Sequence, residues 1–209
     1  MKICIAGLTG QTGAGKSSIA EFLGKNGVCI IDCDVLAREI TLPGSPVLEK
    51  LSERFGEDII RDDGTLDRRL LASRAFKTPE DTAALSAITH PAITQLARER
   101  IQQAQDDGFD IAVLDAAVLH ASELKYDCDV IICVCAPEQE RLERLEKRDK
   151  IERSEILKRM AAQPPEEYYR KNSDIIINNG VGDDTQKNCA QLLEQLKVIA
   201  LEKTEKVEG

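Results

Sequence analysis

Along the chain, two hydrophobic patterns alternate. Short, nearly continuous apolar runs occupy positions 3–8, 28–31, 111–114, 130–134 and 175–177. Between them lie longer stretches whose apolar residues recur three and four apart, the spacing of one helix face. Val- and Ile-rich runs without polar alternation, separated by helices, indicate a parallel sheet covered on both faces. The pattern predicts the α/β class: a three-layer domain over residues 1–209 around a parallel five-stranded sheet.

Two stretches are longer than simple crossovers require. Residues 35–110 read as helices punctuated by Pro43, Gly56, Gly64, Pro79 and Pro91. One crossover helix needs far fewer residues, so this segment is expected to be a helical insertion with a specificity of its own. Residues 138–163 form a second, highly charged helical stretch, which taken alone reads as a solvated face with i,i+4 pairs. The polar tail at 202–209 is expected to fray.

The junction between the first run and the first helix carries the chemistry. The string "GLTGQTGAGKSS" at 7–18 holds four glycines, one lysine and two serines. Gly10-x4-Gly15-Lys16-Ser17 fits the P-loop pattern, in the strand–loop–helix context that gives the pattern meaning. Glycines let main-chain amides from Thr12, Gly13, Ala14, Gly15, Lys16, Ser17 and Ser18 converge on an anion, and the helix N-terminus adds partial positive charge. Lys16 suits the β- and γ-phosphates of a nucleoside triphosphate, and the Ser17 hydroxyl suits Mg²⁺. A nucleoside triphosphate and Mg²⁺ are therefore the expected ligand and ion.

Composition narrows the partners. A net charge of −9 argues against nucleic acid and anionic membranes. With no Trp, base-stacking platforms are not expected. The seven cysteines contain no Cys-x-x-Cys and lie mostly in apolar runs, as reduced core residues do. No apolar stretch reaches the roughly 20 residues of a membrane span, and the N-terminus reads as the first strand rather than a signal peptide, so a cytoplasmic protein is expected.

Asn-Lys-x-Asp and Asp-x-x-Gly, the guanine-reading and switch strings of GTPases, do not occur. A small-molecule kinase needs instead a base for the acceptor hydroxyl and arginines around the transferred phosphoryl group. In "IIDCDVLAR", Asp32 and Asp34 follow the second run at a strand's carboxyl edge, where α/β sheets place ligands. Read as an extended segment, both would face one crevice. Asp34, which starts the next helix, is the better base or, equally, an N-cap. Arg38, one turn on, suits Asp34 or an anionic acceptor.

"GLTGQTGAGKSS", "IIDCDVLAR", "GTLDRRLLASRAF", "THPAI", "ERLEKRDK", "AAQ" and "IINNG" occur in the order and approximate spacing of dephospho-coenzyme A kinases, which the chain resembles over nearly its whole length. The resemblance implies ATP-dependent, Mg²⁺-assisted phosphorylation of the ribose 3′-hydroxyl of dephospho-CoA. It also implies a nucleoside monophosphate kinase-like fold, in which 35–110 is the acceptor-binding insertion and 138–163 the lid. By the same resemblance Asp34 is the base, and Arg38, Arg68 and His90 belong to the acceptor site. Arg144 and Arg148 are lid arginines, Gln163 follows the lid, and Asn178, Asn179 and Gly180 shape the adenine pocket. Other readings on the same scaffold are another nucleotide or metabolite kinase, or an ATP-binding regulatory relative without transfer. One segment departs from the family: where relatives show Asp-x-Pro-Leu-Leu and then an aromatic and an acid, this chain has "LDAAVLHASELKYD". Asp115 survives there, with two roles open to it: holding Mg²⁺ through water or capping a turn.

Overall fold

The structure, a computed structural model, describes residues 2–208, with side chains through 205. It divides into two compact units, one of Asp32–Arg100 and one of the described residues on either side. The flanking unit holds strands β1 (Cys4–Gly10), β2 (Cys29–Asp32, ending at the boundary), β3 (Ile111–Asp115), β4 (Val130–Cys135) and β5 (Ile175–Asn178). Its helices are α1 (Lys16–Lys25), α6 (Glu138–Asp149), α7 (Arg153–Ala161), α8 (Glu166–Lys171) and α9 (Thr185–Glu208). The other unit contains α2 (Cys33–Glu39), α3 (Pro46–Phe55), α4 (Arg68–Ala75) and most of α5 (Pro79–Asp106).

The strands form one sheet in the order β2-β3-β1-β4-β5. β1 pairs in parallel with β3 and β4, and β4 with β5. Because β2 and β3 lie on one side of β1 and β4 and β5 on the other, the carboxyl end of β1 is the topological switch point, where the neighbouring connections part and leave a crevice. Thr9 and Gly10 belong to β1 in register with Cys133 and Val134, so the strand runs two residues past the predicted 3–8 and delivers the loop directly into that crevice.

One face of the sheet is closed by α1 and α9, whose Ile19, Leu23, Leu192 and Leu196 pack with Cys4, Ala6, Leu8, Ile132 and Val134. On the other face Cys133, Cys135 and Tyr169 of α8 pack together. Such doubly buried strands explain the unbroken apolar runs. All seven cysteines are outside disulfides. The Asp32–Arg100 unit has its own core of Leu48, Leu51, Phe55, Ile59, Leu66 and Leu71. α6 and α7 hold a smaller one of Leu142, Leu145, Ile156 and Met160.

Two expectations are corrected. Pro91 does not end a helix; it lies inside α5, whose flanking turns are anchored by Leu85 and Ile88 packed on the core and by buried Thr94 and Ala97. A proline inside a helix removes one hydrogen bond and crowds the preceding turn, a cost of about 3 kcal/mol that burial of this size offsets. The tail at 202–209 does not fray from residue 202: α9 continues to Glu208, Gly209 lying outside the described residues. Lys203 holds it there, donating to the Ile3 carbonyl at 2.9 Å and to Asp129.

Leu196, fully buried against the sheet, tests this core. Leu196→Ala is expected to cost about 2–5 kcal/mol, the range for emptying a well-packed leucine site. Urea unfolding at constant slope measures it, and an unchanged midpoint would show that α9 is not packed as described.

Candidate functional site

The loop between β1 and α1 depends on two left-handed glycines, Gly13 at φ 79° and Gly15 at φ 95°. A side chain is also excluded by space: a Cβ on Gly13 would lie 2.7 Å from the Arg141 carbonyl oxygen, and one on Gly15 would strike the Asn179 amide nitrogen. Gly15 is the N-cap of α1, and it offers no side-chain hydrogen bond; no acidic residue occupies the first turn. Three loop amides are used internally: Thr12 N–H donates to Gln163 Oε1 at 2.8 Å, Ala14 N–H to the Gln11 carbonyl and Ser18 N–H to the Gly15 carbonyl, both at 3.1 Å. Among the described residues, the amides of Gly13, Gly15, Lys16 and Ser17 have no internal acceptor. Four orphan donors within five residues, at an uncapped helix N-terminus, make an anion site. Ser17 and Ser18 are both exposed beside it.

The carbonyls on the other side of the loop are braced by distant residues. Asn179 is buried; its Nδ2 donates to the Ala14 carbonyl at 2.7 Å, and its Oδ1 accepts from the Thr185 hydroxyl at 2.7 Å. Arg144 on α6 donates to the Ala14 carbonyl at 3.2 Å and to the Asn179 carbonyl at 2.6 Å, with Glu140 at 3.3 Å as counter-charge. Gln11 Nε2 donates to the Pro164 carbonyl at 2.9 Å. Lys16 is ion-paired with Asp115 at the end of β3. Asp115 thus lies against the loop as the counter-ion of its lysine.

A family model described as dephospho-CoA kinase matches residues 4–184, the span from the first residue of β1 almost to the start of α9. The chain belongs to the dephospho-CoA kinase family. A dephospho-CoA kinase of Corynebacterium glutamicum is 39% identical over 191 residues, 91% of this chain and 96% of its own length. A crystal structure from Thermus thermophilus superposes with a TM-score of 0.81 at 29% identity, covering 95% of this chain and 98% of that one. A dephospho-CoA kinase structure from Campylobacter jejuni, 22% identical and covering 92% of this chain and 96% of its own, shares the fold at a TM-score of 0.67.

The motifs this family member carries elsewhere are placed as follows. β2 ends at Asp32 and α2 begins at Cys33, so Asp32 and Asp34 do not share an extended face. Asp32, not Asp34, is the N-cap: its Oδ1 accepts from Asp34 N–H at 2.8 Å and Val35 N–H at 3.2 Å. This leaves the exposed Asp34 carboxylate outside the cap. Arg38 is exposed and, among the described residues, does not pair with Asp34. Arg68 is the first residue of α4, whose N-cap Asp67 accepts from Arg69 and Leu70 amides. Its guanidinium donates to Thr41 Oγ1 at 2.8 Å and to the Arg38 carbonyl at 3.4 Å. Burial, and then the Arg38 charge, depress its pKa. His90 is half-buried in the middle of α5, not at a helix end.

The two arginines of α6 expected in a lid, Arg144 and Arg148, part company. Arg144 faces the loop, whereas Arg148 lies along Asp149, its Nε 2.5 Å from Oδ1, and that carboxylate raises its pKa. Asn178 is exposed and accepts from Arg170 at 2.8 Å. Gly180 N–H donates to Asp183 at 2.7 Å. Two residues of this site carry no local sequence signal for their part in it: Arg141, in a charged helix, and Gln11, inside the loop pattern. Asn179 stood in the adenine-pocket string, but its bracing of the loop was not foreseen.

In the segment after Asp115, Leu119 is fully buried and His120 is buried against Tyr168 and Tyr169, ring centroids 5.7 and 5.8 Å away. His120 Nε2 lies 3.3 Å from Ser173 Oγ. Burial, with a smaller contribution from Lys125, depresses its pKa below 6.5. The unfolded chain therefore takes up a proton that the folded one refuses. The stability due to a neutral His120 is present above pH 6.5 and is lost as pH falls from there toward the folded pKa. His120→Gln should flatten this slope, so the drop in Tm between about pH 7.5 and about pH 5.5 is expected to be smaller in the variant than in the wild type. Equal drops would remove His120 as the source.

Proposed function

We propose that this chain transfers the γ-phosphoryl group of ATP to the ribose 3′-hydroxyl of dephospho-CoA, giving coenzyme A and ADP. The observation that carries this reading is the row of four orphan amides at Gly13, Gly15, Lys16 and Ser17, in a chain of the dephospho-CoA kinase family. Main-chain N–H groups at a helix N-terminus bind phosphate oxygens, and Lys16 exchanges Asp115 for the β- and γ-phosphates. The oxygens of Ser17 and, through water, Asp115 suit Mg²⁺, a hard ion that keeps phosphate and water ligands. Bound there, it would neutralise phosphate charge.

On the acceptor side, Asp34 takes the proton from the 3′-hydroxyl as that oxygen bonds to the γ-phosphorus and the bond to ADP breaks. Arg38 and Arg68 bind acceptor phosphates, with His90 beside the acceptor. Arg144 holds the loop from the lid side, and Arg148 leaves Asp149 to meet the charge that develops on the transferred group. Asn178 and Gly180 border the adenine. The seven reduced thiols suit a cytoplasmic setting.

Coupled ADP release with ATP and dephospho-CoA tests the reading. Lys16→Ala is expected to lose about 100-fold or more of turnover. Asp34→Asn should lose about 10²–10⁴-fold while binding ATP as before. Full turnover in Asp34→Asn would remove it as the base. Faster transfer to a nucleoside than to dephospho-CoA, or tight ATP binding without transfer to any acceptor, would overturn the assignment itself.

A further inference from the structure

Arg141 lies in the first turns of α6 and is only 5% exposed. Its Nη1 donates to the Thr12 carbonyl at 3.3 Å, and its buried Nε has no hydrogen-bond partner among the described residues. Arg144, one turn away, has Glu140 as counter-ion; among the described residues Arg141 has no carboxylate within ion-pair reach. Its own backbone and Cβ press on Gly13, at 2.7 and 3.0 Å from where a side chain would start. A buried guanidinium with an empty donor and no counter-charge is costly in a resting protein. Packing alone does not account for it, because an apolar side chain of the same length would fill the space without that cost.

We propose that Arg141 is a positioning residue for the nucleotide's phosphates: it holds the Thr12 carbonyl on the α6 side of the loop and supplies a buried positive charge that is compensated only when a polyphosphate occupies the four orphan amides. This rests on the reading of the loop as an ATP site. It assigns to the helix next to the loop a part separate from that of Arg144, which braces carbonyls with its charge already satisfied. The ligand class is an anionic polyphosphate, so the effect extends to ATP and ADP and is absent for adenosine.

Arg141→Met and Arg141→Lys test it, with ATP, ADP and adenosine affinity measured by calorimetry and apo stability by thermal unfolding. For Arg141→Met the two readouts should move apart: apo Tm unchanged or higher, because an uncompensated charge is removed, and ATP Kd weaker by about tenfold, the size of one charged hydrogen-bonding group. In turnover the loss should fall on KM for ATP rather than on kcat, and Arg141→Lys should recover part of the affinity. Unchanged ATP affinity in Arg141→Met, or failure of that variant to fold without ligand, overturns the proposal. A wild-type protein that does not bind ATP overturns the reading beneath it, a result distinguishable because it appears before any substitution is made.

Discussion

A peptide unit cannot turn its N–H toward a ligand without sending its carbonyl elsewhere, and this constraint organises the site. With Gly13 and Gly15 left-handed, the loop frees four donors and needs partners for the acceptors behind them. Those partners come from far along the chain: Asn179 and Arg144 on the Ala14 carbonyl, Arg141 on that of Thr12. Gln163 occupies the one amide, Thr12, that precedes the free row. The helix after the loop, the charged helix α6, the segment after α7 and the end of β5 are thus all required to keep a few amides unpaired.

The Lys16–Asp115 pair follows the same logic. Both side chains are mostly buried, and a buried ammonium without a counter-ion is strongly destabilising. Asp115 supplies the counter-charge at rest from the neighbouring strand β3, in register with Leu8 of β1. For the triphosphate proposed there, one anion would replace another, so binding would cost an exchange of partners and not the exposure or stranding of a charge. Sheet register, in this sense, determines that the lysine is held ready at the mouth of the loop.

What could be read from the sequence was local. Apolar runs revealed the strands because both faces of the sheet are covered, and the loop pattern declared itself because glycine spacing and the strand–helix context lie within a dozen residues. Asn179 and Arg141 brace the loop across 165 and 129 positions, and no periodicity or spacing reports such a pairing. The reading of Asp32 and Asp34 failed by one residue of secondary structure: treating them as extended gave a shared face, but the helix begins at Cys33 and turns Asp32 into its cap. Pro91 misled for the converse reason, since a missing backbone donor is a local penalty and the packing that overrides it in α5 is not local.

The segment after Asp115 packs against the strand that delivers the loop. Leu119 fills the space beside Gly7: a Cβ there would strike its side chain and lie 2.9 Å from Cys128 Sγ. Gly7 is three residues upstream of Gly10 on the strand that delivers the loop, so this contact fixes β1 from below. Beyond it, His120 packs edge-on to Tyr168, and Ala121 follows it. The cluster gathers His120 with two of the chain's seven aromatic residues, Tyr168 and Tyr169. The proposed anion site does not run through this packing: the orphan amides, Lys16 and the carbonyl braces are anchored on β1, α1, β3, α6 and the end of β5. A change at His120 therefore alters local stability and its pH dependence, and leaves the anion site standing on other supports.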